Sequence, residues 1–396
     1  MIRDGYSTSW NENFVMNGCA FDFNLDIRSG IAEIEKDRWV SCAKHALYGG
    51  MHFEKTKPQQ IKTKKETNII LQSWLRLCSI EFGWIDEFNQ IITQYVMQII
   101  LLIARYFKQL RVIEYTSPLN CANLSLDGKK IVSTSFDQTI RIWDVISGKL
   151  LQTLQGDYYD INYAQFSPDG SMVVFCTDNN EISLWDLKSG QEIRQFEGHT
   201  YCVKTVQFSS DGHTILSSSF DKTIRLWNIN TGKQNRLDGH FDWVYDAQFS
   251  SDGNYMASAS DDKLIAIWNI ESGQVMMVLN GHLGGVLRAT FAPNDSFVAS
   301  CSRDKTIRIW YLLSKKETQK LEGHTDIVTA IKFTPDGQMI VSSSADKTIR
   351  LWNVKTGQEV QRLEGHSDVV TCVDVSPDGN TIVSCSKDKT IRIWEL

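Results

Sequence analysis

Seven tryptophans, Trp143, Trp185, Trp227, Trp268, Trp310, Trp352 and Trp394, recur at steps of 42, 42, 41, 42, 42 and 42 residues. A chain that repeats at this interval builds one supersecondary unit several times over, and stacks the copies because no single unit can bury its own apolar face. Other columns move with the tryptophans. Twenty-eight residues before each stand Tyr115, Asp157, His199, His240, His282, His324 and His366, the last five each preceded by Gly. Eight before stand Ser135, Thr177, Ser219, Ser260, Ser302, Ser344 and Ser386; six before stand Asp137, Asn179, Asp221, Asp262, Asp304, Asp346 and Asp388.

Two turn signals punctuate the repeats. One is Pro168-Asp169-Gly170, with counterparts at Ser210-Asp211-Gly212, Ser251-Asp252-Gly253, Pro335-Asp336-Gly337 and Pro377-Asp378-Gly379; the other is a glycine five residues after the Trp, at Gly148, Gly190, Gly232, Gly273 and Gly357. Proline presets φ and glycine accepts positive φ, so both mark antiparallel hairpins between short strand-like runs such as Thr214 to Ser218 and Thr223 to Trp227. Four strands per repeat follow. On these residues, 107–396 resemble the WD-repeat family of β-propellers. The expected fold is all-β: a seven-bladed propeller preceded by a small, mostly α-helical segment.

The resemblance implies that the His, Ser, Asp and Trp of a repeat form a buried hydrogen-bonded tetrad. Carried onto this chain, the tetrads are His199/Ser219/Asp221/Trp227, His240/Ser260/Asp262/Trp268, His282/Ser302/Asp304/Trp310, His324/Ser344/Asp346/Trp352 and His366/Ser386/Asp388/Trp394. The first repeat lacks the His and the second departs at Asp157 and Asn179. The seventh repeat ends two residues past its Trp, without room for a fourth strand. The run Phe107 to Ile113 is therefore expected to pair with the last blade and remove its open edge, with Val112 in the column of Leu154, Phe196, Leu237, Leu279, Leu321 and Leu363.

The N-terminal quarter is different in kind. Residues 1–66 read as poorly structured: 1–28 are polar and aromatic without a period, Ser29 can cap a helix over 31–47 that Gly49-Gly50 ends, and 54–66 is a Lys-rich linker, with a nuclear import signal as the alternative reading. Residues 67–106 read as a helical hairpin broken at Gly83, the second helix carrying Ile85, Phe88, Ile92, Tyr95 and Ile99 at helical spacing. The apolar run Ile99 to Ala104 is too short to span a membrane. Cys42, His45 and His52 are a loose group without the two close ligand pairs of a zinc site, so no metal and no cofactor is expected.

Nine scattered cysteines and a start with no apolar signal region suggest free thiols in a reducing compartment: cytoplasm, with the nucleus as alternative. Residues 1–110 hold 13 Lys/Arg and 12 Asp/Glu, leaving 28 basic and 35 acidic residues to the repeats, and this acidic balance argues against nucleic acid. The exception is the lysine column Lys222, Lys263, Lys305, Lys347 and Lys389, which would favour an RNA- or ribonucleoprotein-associated role if the side chains projected together into solvent.

No catalytic motif is present, and the recurring Ser, His and Asp are equivalent in five places, which marks structure rather than chemistry. An enzyme would need a pocket outside the shared columns. The resemblance implies a partner-binding face whose exposed positions lie three and five residues after the His column and one before the Asp column. Those positions bring together Phe220, Trp243 and Tyr245, flanked by Lys204, Asp261 and Arg303, with Phe136, Asp160, Leu287 and Lys387 at equivalent places in other repeats. Aromatics with a charged rim are the composition of binding hot spots. The expectation is a non-catalytic, monomeric scaffold for other proteins or peptides; the alternative for Trp243 and Tyr245 is that they only pad the inner strand or plug the channel.

Overall fold

A computed structural model describes residues 106–155 and 160–396, together with the backbone of three short strands, β1 (Ser9–Met16), β2 (Cys19–Asp26) and β3 (Ile31–Glu33). The chain divides into two units, 1–105 and 106–396.

In the first unit the three strands form an antiparallel sheet in the order β1-β2-β3, with Met16 opposite Cys19 and Asp26 opposite Ile31. This corrects the reading of residues 1–28 as lacking a period. Phe21, Phe23 and Leu25 alternate with Asp22, Asn24 and Asp26, the period of a strand, and Asn17-Gly18 is the strongest two-residue hairpin signal. Ile31–Glu33, where the helix expected over 31–47 would begin, pairs with β2. The rest of that segment, Cys42, His45 and His52, the linker 54–66 and, apart from Tyr106, the hairpin expected over 67–106 lie outside the described residues.

The second unit holds twenty-eight strands, β4 to β31 in chain order, from β4 (Lys108–Glu114) and β5 (Leu119–Leu124) to β29 (Val370–Val375), β30 (Thr381–Ser386) and β31 (Thr390–Glu395). They form seven four-stranded antiparallel sheets. The first strand of each sheet packs beside the first strands of both neighbours, so the sheets close into a seven-bladed ring around a channel. Among the described residues no helix is long and apolar enough to cross a membrane.

The burial pattern shows why each blade needs its neighbours. Second strands such as Thr214–Ser219 are buried along nearly their whole length, which is possible only when both faces are covered. Outer strands such as Gln191–Phe196 bury little beyond their final apolar residue. The apolar clusters accordingly lie between sheets: Leu216, Ile224 and Leu237 of the third blade pack with Val244, Met256 and Trp268 of the fourth. Gly212 closes the hairpin between the first two strands of the third blade at φ 71°, where its N–H donates to the Ser209 carbonyl (2.9 Å) and a side chain would be strained.

The ring is closed as expected: β4, from before the first repeat, pairs antiparallel with β31 of the last. The register differs by one residue. Ile391 faces Ile113, and Ile113 is 5% exposed while Val112 is 36% exposed, so Ile113, not Val112, stands in the column of Leu321 and Leu363. One residue separates Ile113 from Tyr115 where two separate Leu321 from His324, and in a strand a one-residue slip moves every side chain to the other face.

Candidate functional site

The chemically suggestive columns resolve into a repeated buried network. In the third blade the His199 Nδ1–H donates to Asp221 Oδ2 (2.8 Å), Ser217 Oγ donates to His199 Nε2 (2.7 Å), and Trp227 Nε1–H donates to Ser217 Oγ (2.8 Å). The same bonds recur for His240/Ser258/Asp262/Trp268, His282/Ser300/Asp304/Trp310, His324/Ser342/Asp346/Trp352 and His366/Ser384/Asp388/Trp394. The serine is therefore ten residues before the Trp, and the assignment of Ser219, Ser260, Ser302, Ser344 and Ser386 to the tetrads is corrected. Those hydroxyls accept the N–H of the tetrad Asp and donate to a carbonyl of the loop preceding the blade, as Ser219 does to Tyr201 (2.8 Å). Residues two apart in a strand share a face, and both columns are serine, so spacing alone does not separate them.

Two blades depart from the pattern. In the first, Tyr115 takes the place of His: its hydroxyl bonds Ser133 Oγ and accepts from Trp143 Nε1 (2.9 Å), while Arg141 lies over its ring at 4.5 Å. Burial pushes this phenol well above its ordinary value. In the second, Phe175 stands where the serine would be and Asn179 where the Asp would be; Asp157 lies outside the described residues.

The electrostatics of the tetrads fit a structural role. Burial works against the charged form of Asp221, Asp304, Asp346 and Asp388, yet the histidine hydrogen bonds and further N–H and hydroxyl donors hold all four well below the usual carboxylate value. Burial lowers His199 and His366, keeping those imidazoles neutral. Ser217 is fully buried and its hydroxyl is committed on both sides, so no substrate reaches it. Among the described residues no three His, Cys, Asp or Glu side chains are disposed to share a metal.

The positions expected on the binding face give a different picture. Phe220 and Trp243, from neighbouring blades, stack with ring centroids 4.5 Å apart and an interplanar angle of 14°. Tyr245 meets Phe220 edge-on at 5.2 Å, and Tyr201 continues the stack on the other blade at 6.3 Å. Trp243 remains 39% exposed despite this packing. Two charged pairs brace the aromatics. Arg303 donates to Tyr245 Oη (2.7 Å), lies over its ring and pairs with Asp261 (3.5 Å). Lys204 lies 5.1 Å over the Phe220 ring, donates to Asn162 Oδ1 (2.7 Å) and stands 3.8 Å from Asp178.

The structure thus gathers Phe220, Trp243, Tyr245, Lys204, Asp261 and Arg303. Phe136, Asp160 and Lys387 belong instead to the first, second and seventh blades; Phe136 and Lys387 are exposed, and Leu287 is half-buried against the core. Three exposed apolar side chains were not anticipated: Tyr201, Phe241 and Leu283. For Phe241 and Leu283 the signal was present in the residue after the His column, which reads Thr200, Phe241, Leu283, Thr325 and Ser367, polar except in the fourth and fifth repeats; Tyr201 lies one residue further on.

The lysine column does not form a free cationic ring. Lys222, Lys263, Lys305, Lys347 and Lys389 occupy left-handed turn positions with φ near 70°. Lys222 and Lys305 donate to the carbonyls of Phe241 and Thr325 in the following repeats, at 2.9 Å each. Those two ammonium groups tie blades together.

Inside the ring, the third residue of each inner strand is Cys121, Tyr163, Thr205, Asp246, Arg288, Ala330 or Cys372. Asp246 is buried and accepts from Arg288 (3.1 Å) and from the Ala289 N–H (3.3 Å); the guanidinium lies 4.9 Å over Tyr163. Burial raises Asp246, with Arg288 opposing it.

No curated protein sequence matches the chain significantly. The family model for the WD domain, G-beta repeat, matches seven segments, 107–144, 148–186, 190–228, 232–269, 273–311, 315–353 and 357–395. These segments coincide with the seven repeats and cover more than half of the chain. With the seven-bladed ring and its recurring tetrads, they show that the chain belongs to the WD-repeat family.

Proposed function

We propose that this propeller is a non-catalytic platform for protein–protein assembly, and that its partner site is the aromatic cluster spanning the third and fourth blades. The observation that carries this reading is the stack of Phe220 on Trp243, backed by Tyr245 and braced by Lys204 and Arg303. An indole left partly in water although its neighbours are packed and hydrogen-bonded is preorganised, and rigid aromatics inside a charged rim contribute most of the free energy at protein interfaces. The tetrads cannot supply a reaction, because their hydroxyls are buried and committed. An RNA-associated role has less support, because the lysine column is partly used between blades and the propeller is acidic. The proposed setting is the cytoplasm, in complexes that the propeller enters as a monomer.

The test is the pair Trp243→Ala and Tyr245→Ala in the full chain, with proximity labelling and co-precipitation. Loss of a defined set of partners at an unchanged melting temperature is expected. An unchanged partner list would sink the assignment.

A further inference from the structure

Three buried thiols meet where the ring closes. Cys121 is the third residue of β5 in the first blade and Cys372 the third residue of β29 in the last; their sulfurs are 4.0 Å apart. Cys385, on β30, sits directly opposite Cys372 in the register, with the Thr371 hydroxyl 3.2 Å from its sulfur. All three are free. Cys372 also lines the small cavity of the central channel, with Asn123, Tyr163, Gln248, Arg288 and Lys332. The same junction is also held by the β4–β31 pairing, by apolar packing of Leu119 and Ala122 with Val383 and Ile391, and by hydrogen bonds, Leu124 N–H to Asp374 (2.8 Å) and Thr371 Oγ1–H to the Leu119 carbonyl (3.0 Å).

We propose that Cys121 and Cys372 form a peroxide-oxidisable pair that closes into a disulfide across the junction of the first and last blades. Sulfurs 4.0 Å apart on neighbouring strands need to approach by about 2 Å to reach bonding distance. Cys372 lines the channel cavity, where a small oxidant such as hydrogen peroxide would meet its sulfur. The neighbouring Cys121 and Cys385 thiols, and then Arg288, favour its thiolate, whereas burial disfavours the thiolates of Cys121 and Cys385. The thiolate is the nucleophile. Its sulfur attacks one peroxide oxygen: the S–O bond forms, the O–O bond breaks and hydroxide leaves, giving a sulfenic acid at Cys372. The Cys121 sulfur then attacks the Cys372 sulfur, the S–S bond forms, the S–O bond breaks, and the oxygen departs as water with the Cys121 proton. Two thiols are oxidised by two electrons and one peroxide is reduced to two waters. The bond would join residues 251 apart and make the ring covalently continuous on its inner side.

The experiment treats the full, folded chain with hydrogen peroxide, blocks remaining thiols and maps peptides after cleavage that includes the bond before Asp374, which separates Cys372 from Cys385. A peptide linking Cys121 to Cys372 is expected in the native protein and in Cys385→Ser, absent in Cys121→Ser and reversed by dithiothreitol. Because the link closes a long loop, the melting temperature should rise by about 5–10 °C on oxidation. A link only between Cys372 and Cys385, a link formed only in urea, or peroxide consumption without any Cys121–Cys372 peptide would each overturn the proposal. The deciding peptide is read in the unaltered chain, so the outcome does not depend on a variant folding.

Discussion

Replacing Ser217 by Ala should destabilise the propeller far more than replacing Ser219, although both are fully buried serines on one strand. Ser217 Oγ serves two aromatic rings. Without it, Trp227 Nε1–H and His199 Nε2 lose their partner inside a site where Trp227 is 1% and His199 6% exposed. A buried polar atom left unsatisfied costs about 1–3 kcal/mol, so two together give about 2–6 kcal/mol. Ser219 serves the loop: its hydroxyl donates to the carbonyls of Tyr201 and Cys202 and accepts the Asp221 N–H. The Cys202 carbonyl keeps the Phe220 N–H (2.9 Å), and Tyr201 is exposed enough for water to replace the serine. The net loss is then that of about one ordinary hydrogen bond, ~1 kcal/mol. Urea denaturation of the two variants at pH 7.5, followed by tryptophan fluorescence, measures the difference as a shift in midpoint at constant slope. Equal destabilisation, or a larger effect at Ser219, would refute the assignment of the hydroxyl to the tetrad. Ser258 and Ser260 in the next blade provide an independent repeat of the comparison.

Ile113→Lys should cost several kcal/mol by putting a charge among Leu119, Ile391 and Ile393, while Val112→Lys should stay within about 0.5 kcal/mol of the native protein; thermal melts of both variants check it. Arg288→Met should destabilise by about 3–5 kcal/mol, because it strands the buried Asp246 carboxylate, and adding Asp246→Leu should recover most of the loss in a double-mutant cycle. Stability should fall on acidification. His199 and His366 have lowered values in the fold, so the unfolded chain binds protons first once the pH drops below about 6.5, at up to ~1.4 kcal/mol per pH unit for each group. The depressed carboxylates Asp221, Asp304, Asp346 and Asp388 act in the same direction: their contribution is present above about pH 4 and is lost below it. Urea midpoints from pH 8 to 4 should be flat at first and then decline, and a rise between pH 7 and 5 would contradict the neutral imidazoles.

What the sequence revealed and what it hid follow from how each feature is encoded. The ring and its closing strand were legible because seven copies of one pattern correct one another, and because the last repeat visibly lacks a strand. The errors fell where copies cannot vote. Ser217 and Ser219 share a residue type and a face, so the repeat carries no information to distinguish them. The closing strand occurs once, and its register hangs on a single missing residue before Tyr115. The role of Tyr115 was hidden for a related reason: a phenol replaces an imidazole by reaching the same serine and tryptophan, which only three-dimensional placement reveals. The β1–β2 alternation was present in Phe21, Phe23 and Leu25, but without a second copy to align. At the candidate site, the aromatic positions were readable as departures from the columns. The pairing of Arg303 with Tyr245 and of Lys204 with Asn162 was not, because those contacts cross between blades.

The strand that closes the ring also sets an order of events during synthesis. β4 is among the first parts of the propeller to leave the ribosome, and its partner β31 among the last, some 280 residues later. At roughly 5–20 residues per second that interval is about 15–60 s. Throughout it β4 presents an open backbone edge carrying Leu110, Val112 and Ile113, and the completed early blades have no closed ring to complete. The nascent chain therefore has a defined period in which its first strand lacks the edge it pairs with in the closed ring.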